Sequence, residues 1–377
     1  MTAPHGIGIL GYGGMVGRVA CDVLRRLGPV RGGQRRVDPD QDSGAGFEAV
    51  RVDLHDRASL DRFCQGCAVV LNCAGPSYRI GDVVAMAALE AGAAYVDAFG
   101  GDVLERKLLT GPAGEQGLFV LGAGVFPGVS GVLPRWLFSQ GFDTVESMSG
   151  HAGGREYCSW GAGADVLLSA VAGFGTPDAI WRQGRVVRQQ PDRSGPVSVP
   201  GFRDGVFVQP FINRETILLA RQSGLDEARW HTVMADEVTM AALSGGCSRL
   251  IESGPEVLDA AVGELVRAAS LAMAGRHSWY AMTVEVRGRR QGRAVAKRAM
   301  LKSSDSYTIS GIMAAAVARH ILEDRPDNGV HWAFAVLDPD SMAERLRAVP
   351  VVESLTVVDI APDLESKSGV SLEAGVL

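Results

Sequence analysis

The feature that most constrains this chain is a cluster of glycines between a short apolar run and an amphipathic segment. Residues 7–10 are apolar, and Gly11, Gly14 and Gly17 follow with G-x-x-G-x-x-G spacing, while Gly13 gives a second, G-x-G spacing. Strand, glycine turn and helix together are typical of a dinucleotide-binding unit. In such a unit the glycines allow a tight turn and a close approach to a pyrophosphate at the helix N-terminus. The alternative is a glycine-rich turn that holds no ligand.

The hydrophobic pattern predicts an α/β fold in two parts. Over the first 130 residues, short apolar runs alternate with helical patterns, as in a parallel sheet wrapped by helices. Predicted strands are 7–10, a weak one near Val30, 49–52, 68–72, 94–96 and 118–121, and predicted helices are 15–27, 58–64, 80–91, 101–109 and 129–139. The region 31–47 is rich in glycine and charged residues and is predicted to form a loop. After about residue 140 the pattern is α+β, with strands at 142–150, 205–210, 281–287 and 293–301 and helices at 162–172, 256–273 and 308–322.

Composition argues against several classes of protein. The net charge of −6 does not favour nucleic-acid binding, which usually needs a basic field. No apolar run is long enough for a membrane span, and the first strand begins too early to leave room for a signal peptide. Six scattered cysteines predict a reducing, cytoplasmic compartment.

The residues after the second predicted strand favour NADP(H) over NAD. An NAD site usually has an acidic residue there for the ribose 2′-hydroxyl. This chain has Arg31, Arg35 and Arg36, with Asp38 only later. Arginine suits a 2′-phosphate through charge and bidentate geometry. The alternative is that these arginines lie on a solvated loop.

Ligands of such folds bind at the carboxyl ends of the strands, so the cofactor site is expected in the turns that follow them. Tyr78 and Arg79, after the fourth strand, are expected to face the substrate. The predicted cofactor-binding residues are Gly11, Tyr12, Gly13, Gly14, Met15, Val16, Arg35, Arg36, Asp53, Cys73, Ala74, Gly75, Pro76 and Gly124.

Five segments occur in order over residues 7–131: GYGGMVGR, VDLHDRASL, VVLNCAGPSY, ALEAGAAYVDAFG and GAGVFPGVSG. With them the chain resembles the saccharopine dehydrogenase-like (saccharopine reductase type) NADP-binding oxidoreductases, and HWAFAVLDP at 331–339 extends the resemblance. The resemblance implies a Rossmann-type doubly wound parallel sheet domain (1–130) and an inserted α+β substrate and dimerisation domain (131–304). A C-terminal segment (305–377) would return to the Rossmann domain through a helix at 306–324.

A reductase also needs a proton source. The glycine-rich stretch that follows the first strand of the second part contains four capable groups, His151, Glu156, Tyr157 and Asp165. We predict His151 and Tyr157 as catalytic residues, together with Asp97 at the end of the fifth strand. The alternatives are a structural histidine and a helix N-cap at Asp97. The C-x-x-C at 64–67 lacks further ligands, so no metal is expected.

The resemblance implies chemistry on a C=N or C–N bond, and in some relatives on C=C bonds. The leading hypothesis is an NADPH-dependent reductase of an imine-like C=N bond, such as a cyclic imine in specialised metabolism. The alternatives are an enoyl-type C=C reductase acting on a carrier-bound acyl chain and a non-catalytic NADP(H)-sensing protein. Expected partners are a small-molecule or carrier-bound substrate and a second copy in a homodimer, with no nucleic acid and no membrane.

Overall fold

Two β-sheets organise the molecule. A computed structural model of the protein describes residues 6–37, 44–190, 195–203 and 205–362. The strands are β1 Gly6–Leu10, β2 Val30–Gln34, β3 Phe47–Arg51, β4 Cys67–Asn72, β5 Ala94–Asp97, β6 Leu118–Leu121, β7 Thr144–Arg155, β8 Gly175–Pro177, β9 Ala179–Arg182, β10 Arg185–Arg188, β11 Phe207–Asn213, β12 Glu227–Met234, β13 Trp279–Arg290, β14 Arg293–Ser303, β15 Gly329–Trp332 and β16 Val352–Ile360.

Helices cover the sheets and build a separate layer beside the second one. They are α1 Met15–Leu24, α2 Arg57–Cys64, α3 Ser77–Ile80, α4 Val83–Glu90, α5 Asp102–Leu109, α6 Ala113–Gln116, α7 Val129–Phe138, α8 Trp160–Ala172, α9 Arg214–Gln222, α10 Glu237–Ser253, α11 Leu258–Met273, α12 Ser306–Glu323, α13 Ala333–Val336 and α14 Pro339–Arg347. Among the helices of the described residues, none combines the length and apolar character needed to cross a bilayer.

The first sheet is a doubly wound parallel sheet in the order β15-β6-β5-β4-β1-β2-β3. Along β4, Val69 and Leu71 pack with helices α1 and α12 on one face, while Val70 packs with α2 and α4 on the other. Burial on both faces explains why β4 reads as a continuous apolar run rather than an alternating one. Strand order reverses at β1, so a crevice forms between the ends of β1 and β4.

The second sheet is mixed, in the order β10-β9-β12-β7-β13-β14-β16, with β11 pairing to β12 and to β8. Its strands β7–β14 lie in the chain between β6 and β15 of the first sheet. The predicted fold class, a Rossmann-type α/β sheet with an inserted α+β part, is therefore confirmed.

The C-terminal part contributes to both sheets. Helix α12 packs on α1 so closely that a Cβ on Gly311 would lie 2.6 Å from Val19 Cβ. Strand β15 pairs with β6 of the first sheet, whereas β16 pairs with β14 of the second. The predicted segment 305–377 thus does not return to the Rossmann sheet as a whole, and residues 363–377 lie outside the described ones. The predicted bounds 1–130 and 131–304 stay a prediction.

The region 31–47, predicted as a loop, contains most of β2 and the start of β3. Its glycines suggested a loop, but Gly32 and Gly33 are buried under neighbouring side chains. A Cβ on Gly32 would lie 2.5 Å from the Phe47 ring, and one on Gly33 2.7 Å from Leu10 Cδ2. Glycine in this strand allows close packing of other groups.

Among the helices longer than one turn, α9, α10 and α14 were not predicted. The pattern of α10 is interrupted by Gly245 and Gly246, which lower helix propensity. Gly246 faces α8, where a Cβ would lie 2.8 Å from Leu167 Cδ2. Helices α8, α10 and α11 share a small apolar core of their own, so tertiary packing overrides the local propensity.

Candidate cofactor and substrate cleft

A cleft of about 900 Å³ opens at the carboxyl ends of the parallel strands. One side is built by the turns after β1, β2, β3 and β4, and the other by α8 and the start of α12. The residues on α3, the β6–α7 loop, α8 and their neighbours form a surface that we call the α8 wall: Ser77, Tyr78, Arg79, Phe126, Ser159, Trp160, Asp165, Val166, Ser169, Phe174 and Tyr307.

The glycine turn after β1 has the form of a phosphate cradle. Gly11 has φ of 75°, and a Cβ there would lie 2.7 Å from Ala74 N. At Gly17 a Cβ would lie 2.2 Å from Gly11 O. Helix α1 begins with Gly14 at its N-cap, without a side-chain cap and without an acidic residue in its first turn. Gly11, Gly14, Met15 and Val16 line the cleft. A helix N-terminus left uncapped in this way fits a dinucleotide pyrophosphate.

Two predicted cofactor residues, Tyr12 and Gly13, shape this turn without lining the cleft. The Tyr12 ring packs edge-on against Phe47 at 5.1 Å between centroids. The Gly13 amide donates a hydrogen bond to Gln34 Oε1 at 3.1 Å. A Cβ on Gly13 would collide with the same oxygen. The structure thus shows supporting contacts for these two residues, and their role in cofactor binding stays a prediction.

The end of β2 carries Gln34, Arg35 and Arg36 into the cleft. Gln34 occupies the strand end where NAD-binding folds usually have an acid. Arg35 and Arg36 are exposed and form no ion pair with any described residue. Asp38 lies outside the described residues. The pair of arginines beside a neutral strand end fits a 2′-phosphate.

Arg31 does not line the cleft with Arg35 and Arg36, because it lies within strand β2. Its Nε donates to Glu48 Oε2 at 2.9 Å and its Nη1 donates to the carbonyl oxygens of Phe63 and Gln65. Sequence reasoning grouped Arg31 with the cofactor arginines and did not select Gln34. Selecting Gln34 would have required knowing where β2 ends. The glycines of this strand suggested a loop instead.

The predicted residues after β3 and β4 line the cleft. They are Asp53, Cys73, Ala74, Gly75 and Pro76. The Asp53 carboxylate accepts a hydrogen bond from the His55 amide at 3.0 Å, which fixes the turn after β3.

Asp97 lies below the cleft and does not line it. It is 2% exposed, and its Oδ1 accepts hydrogen bonds from the amides of Phe99, at 2.9 Å, and Gly100. Its Oδ2 accepts from Tyr95 Oη and from Asn72 Nδ2, the latter at 3.2 Å. Both oxygens are therefore engaged in holding the turn after β5. The prediction of Asp97 as a catalytic residue is corrected to this anchoring role.

The loop between β6 and α7 enters the cleft through Phe126 and Pro127, and the predicted Gly124 does not line it. A Cβ on Gly124 would lie 2.6 Å from Ala98 O, so this glycine serves the packing of the loop. Glu215 of α9 holds the far end of the loop. Its carboxylate accepts from the Gly128 amide at 2.5 Å and from Ser130 Oγ. Burial raises the pKa of Glu215 to about 8.

His151 is not in the cleft, which contradicts its prediction as a proton donor. It lies within β7, and its ring stacks on that of His231 with 4.5 Å between centroids. Burial, helped by His231, lowers the pKa of His151 to about 3. A histidine that is neutral at physiological pH and packed on the sheet cannot act as the acid of this cleft.

Tyr157 is also not a cleft residue. Its side chain is 54% exposed, and only its backbone carbonyl approaches the site, accepting from Tyr307 Oη at 3.0 Å. Its prediction as a catalytic residue is corrected in favour of its neighbour in space, Tyr307, whose side chain lines the cleft.

Asp165 is the carboxyl group that the structure does bring into the cleft. Its Oδ1 accepts from the Ser77 amide at 2.6 Å and from Ser77 Oγ at 2.8 Å. Its Oδ2 faces Gly75, where a Cβ would lie 2.9 Å away. Burial raises the pKa of Asp165 to about 6, although the hydrogen bonds from Ser77 act in the opposite direction. The sequence marked Asp165 as a capable group, but nothing in its spacing set it above His151.

The described residues contain no group of three or more His, Cys, Asp or Glu side chains that could hold a metal ion. Cys64 and Cys67 are buried free thiols.

The fold and the cleft together define a two-part oxidoreductase that binds a pyridine nucleotide. Residues 7–109 match the family model described as the saccharopine dehydrogenase NADP binding domain. This part of the chain is thus similar to the NADP-binding domain of the saccharopine dehydrogenase-like proteins, and its cofactor is NADP(H). The predicted resemblance and the predicted cofactor are confirmed.

A solved structure shows the same architecture. Apo saccharopine dehydrogenase (L-Glu forming) from Saccharomyces cerevisiae matches with a TM-score of 0.66 and 14% identity, covering 95% of this chain and 100% of that chain. An engineered D-amino acid dehydrogenase bound to NADP+ matches with a TM-score of 0.45 and 14% identity, over 90% of this chain and 99% of that chain. Uronate dehydrogenase from Agrobacterium tumefaciens matches with a TM-score of 0.22 and 21% identity, over 25% and 40%. The last two likenesses are too weak to inform the fold. No curated protein matches the chain.

Proposed function

We propose that this oxidoreductase reduces an imine-like C=N bond, such as that of a cyclic imine in specialised metabolism. The single observation that supports this proposal is Asp165, a carboxyl group with a pKa of about 6 in the cleft of an NADP-binding fold. NADPH, when bound, supplies the hydride that adds to the carbon of the C=N bond. The nitrogen then needs a proton, and Asp165 is positioned to deliver it.

The cofactor residues follow from the cleft. Gly11, Gly14, Met15 and Val16 would hold the pyrophosphate, because they form the N-terminus of α1. Arg35 and Arg36 would hold the 2′-phosphate, and Asp53 would lie at the adenosine. Cys73, Ala74, Gly75 and Pro76, with Phe126 opposite, would wall the nicotinamide.

Asp165 can serve the proton step in both of its forms. Ser77 holds Oδ1, so we assign the proton transfer to Oδ2, which lies beside Gly75 of the cleft. With a pKa of about 6, about a tenth of the molecules carry the proton at pH 7. The protonated acid gives its proton to nitrogen as the C–H bond forms. The carboxylate that remains stabilises the positive charge of a protonated imine or amine.

We predict that Asp165→Asn lowers kcat by about 10²- to 10⁴-fold, the range for loss of a general acid. The affinity for NADPH should stay within about twofold, because Asn keeps the acceptor for Ser77. The wild-type rate should fall as pH rises above about 6, since the protonated acid is then lost, and the variant should lack this limb. Stopped-flow reduction of 2-phenyl-1-pyrroline with NADPH measures all three quantities.

Glu156→Gln is the matched control. Glu156 is another carboxyl group with a raised pKa, of about 7, and it too accepts from a helix-terminal amide and hydroxyl, those of Ser306. It does not line the cleft. Equal losses in the two variants would make Asp165 a structural residue. Reduction of enoyl thioesters but not of imines would assign the alternative C=C reaction, and tight NADPH binding without turnover of either would assign a sensor.

A further inference from the structure

We infer that the cleft selects an apolar, ring-bearing amine or imine with at most one carboxylate, and that it rejects dicarboxylated amino acids. This inference rests on the proposed function and adds the class of substrate to it. The chain is only 6% aromatic, yet six aromatic side chains line this one cleft. Five of them belong to the α8 wall: Tyr78, Phe126, Trp160, Phe174 and Tyr307.

Three of the five hydroxyl groups of the α8 wall donate hydrogen bonds within the protein. Ser77 Oγ donates to Asp165, and Ser169 Oγ donates to the Val166 carbonyl at 2.7 Å. Tyr307 Oη donates to the Tyr157 carbonyl.

The other two hydroxyl groups of the wall belong to Ser159 and Tyr78. Ser159 Oγ accepts from the Ala162 amide at 3.2 Å, as the N-cap of α8. The Tyr78 hydroxyl oxygen is buried and has no hydrogen-bond partner among the described residues. A polar substrate would therefore find few partners on this wall and would lose its hydration without compensation.

Two charged groups remain on the α8 wall, and they have opposite signs. Asp165 suits a cationic nitrogen. Among the described residues Arg79 is the only cation of this wall, and its guanidinium carbon lies 5.9 Å from the centre of the Trp160 ring. One arginine can pair with one carboxylate. A second carboxylate would be buried against aromatic rings without a partner, which is strongly unfavourable.

Three piperidines test the inference, because they share the ring nitrogen and differ in their acid groups: 2-phenylpiperidine, piperidine-2-carboxylate and piperidine-2,6-dicarboxylate. Their binding to the NADPH-loaded enzyme is measured by calorimetry, since an amine cannot react with the reduced cofactor. We expect 2-phenylpiperidine to bind at least about tenfold more tightly than the dicarboxylate. Equal or tighter binding of the dicarboxylate overturns the inference, and so does the absence of binding by all three.

Matched variants test the apolar surface of the α8 wall and its arginine separately. Val166→Ser should weaken the binding of 2-phenylpiperidine, while Val171→Ser should not. Both valines lie on α8 and are 44% and 41% exposed, but only Val166 lines the cleft. Arg79→Gln should weaken piperidine-2-carboxylate by about tenfold or more and leave 2-phenylpiperidine within about twofold. Arg325→Gln, at an exposed arginine outside the cleft, is the control.

Unchanged binding of piperidine-2-carboxylate by Arg79→Gln contradicts the role of Arg79. A failed proposed function gives a different result: the binding order of the three amines stays as expected, but the corresponding imines are not reduced by NADPH.

Discussion

At the residue scale, the proposed preference for NADPH rests on two exposed arginines. Arg35 and Arg36 enter the cleft directly after β2, and Gln34 brings no negative charge to the strand end. The positive character of this strand end could be predicted from the sequence, because no acidic residue precedes the two arginines. The separation of Arg31 from this pair could not be predicted, since it depends on β2 continuing from Val30 to Gln34.

We predict that the double substitution of Arg35 and Arg36 by Ala weakens the binding of NADPH by about 1–3 kcal/mol, the range for hydrogen bonds between charged groups. NADH lacks the 2′-phosphate, so its affinity should be nearly unchanged. Fluorescence titration with both nucleotides measures the difference. Arg62→Ala, at an exposed arginine of α2 outside the cleft, should affect neither, and equal losses of NADPH and NADH in the double variant would remove the 2′-phosphate assignment.

At the element scale, the structure of β7 explains why His151, a predicted catalytic residue, lies away from the cleft. Its second half contains Gly150, Gly153 and Gly154, which suggested a loop able to carry His151 into a cleft. The glycines are present because the sheet leaves no room for a Cβ. One on Gly150 would lie 2.5 Å from the Trp230 ring, and one on Gly154 2.0 Å from the Trp279 carbonyl oxygen. Packing from residues far along the chain is not visible in a local pattern.

The loop between β6 and α7 depends on Glu215, which reaches it from another element. Glu215→Ala should lower the free energy of unfolding by about 2–4 kcal/mol, because the Gly128 amide and Ser130 hydroxyl would lose a buried acceptor. Glu215→Gln keeps the shape and one acceptor, so its loss should stay under about 1 kcal/mol. Urea titration compares them with Glu252→Ala on the exposed side of α10. A similar loss in Glu215→Ala and Glu252→Ala would show that the buried contact stabilises nothing.

At the scale of the whole molecule, the order of apolar runs was enough to predict the parallel sheet and most of its helices. The glycine turn and the strand ends predicted the side of the cleft where we expect the cofactor. The opposite side could not be predicted, because α8 meets the β4 turn only through tertiary contacts such as that between Asp165 and Ser77. Sequence patterns locate elements along a sheet, but they carry little information on which distant helix closes over it.

Buried carboxyl groups make the stability of the molecule dependent on pH. Burial raises the pKa of Asp165 to about 6, of Asp102 and Glu156 to about 7, and of Glu215 to about 8. A carboxyl group whose pKa is raised in the folded state binds its proton more tightly there than in the unfolded chain. Its contribution to stability is complete below the unfolded pKa of about 4 and is lost as pH rises through the folded value.

We therefore predict that the free energy of unfolding falls between pH 5.5 and pH 8.5, by up to about 1.4 kcal/mol per pH unit for each group. Urea titrations at pH 5.5, 7 and 8.5 measure the change. Glu215→Gln should flatten the upper part of the curve, because its amide does not ionise. Stability that rises across this interval would contradict the directions of these pKa shifts.

The last strand of each sheet is synthesised late. Strand β15 completes the first sheet and β16 the second, and α12 covers α1 only after residues 306–323 exist. On the ribosome, the first six strands of the cofactor-binding sheet emerge long before the parts that cover their edge and one of their faces. Because domains usually begin to fold as they are made, this chain has an incomplete sheet for most of its translation. Its final structure forms only when synthesis has passed residue 360, so a nascent chain stalled before that point should still expose the edge of β14.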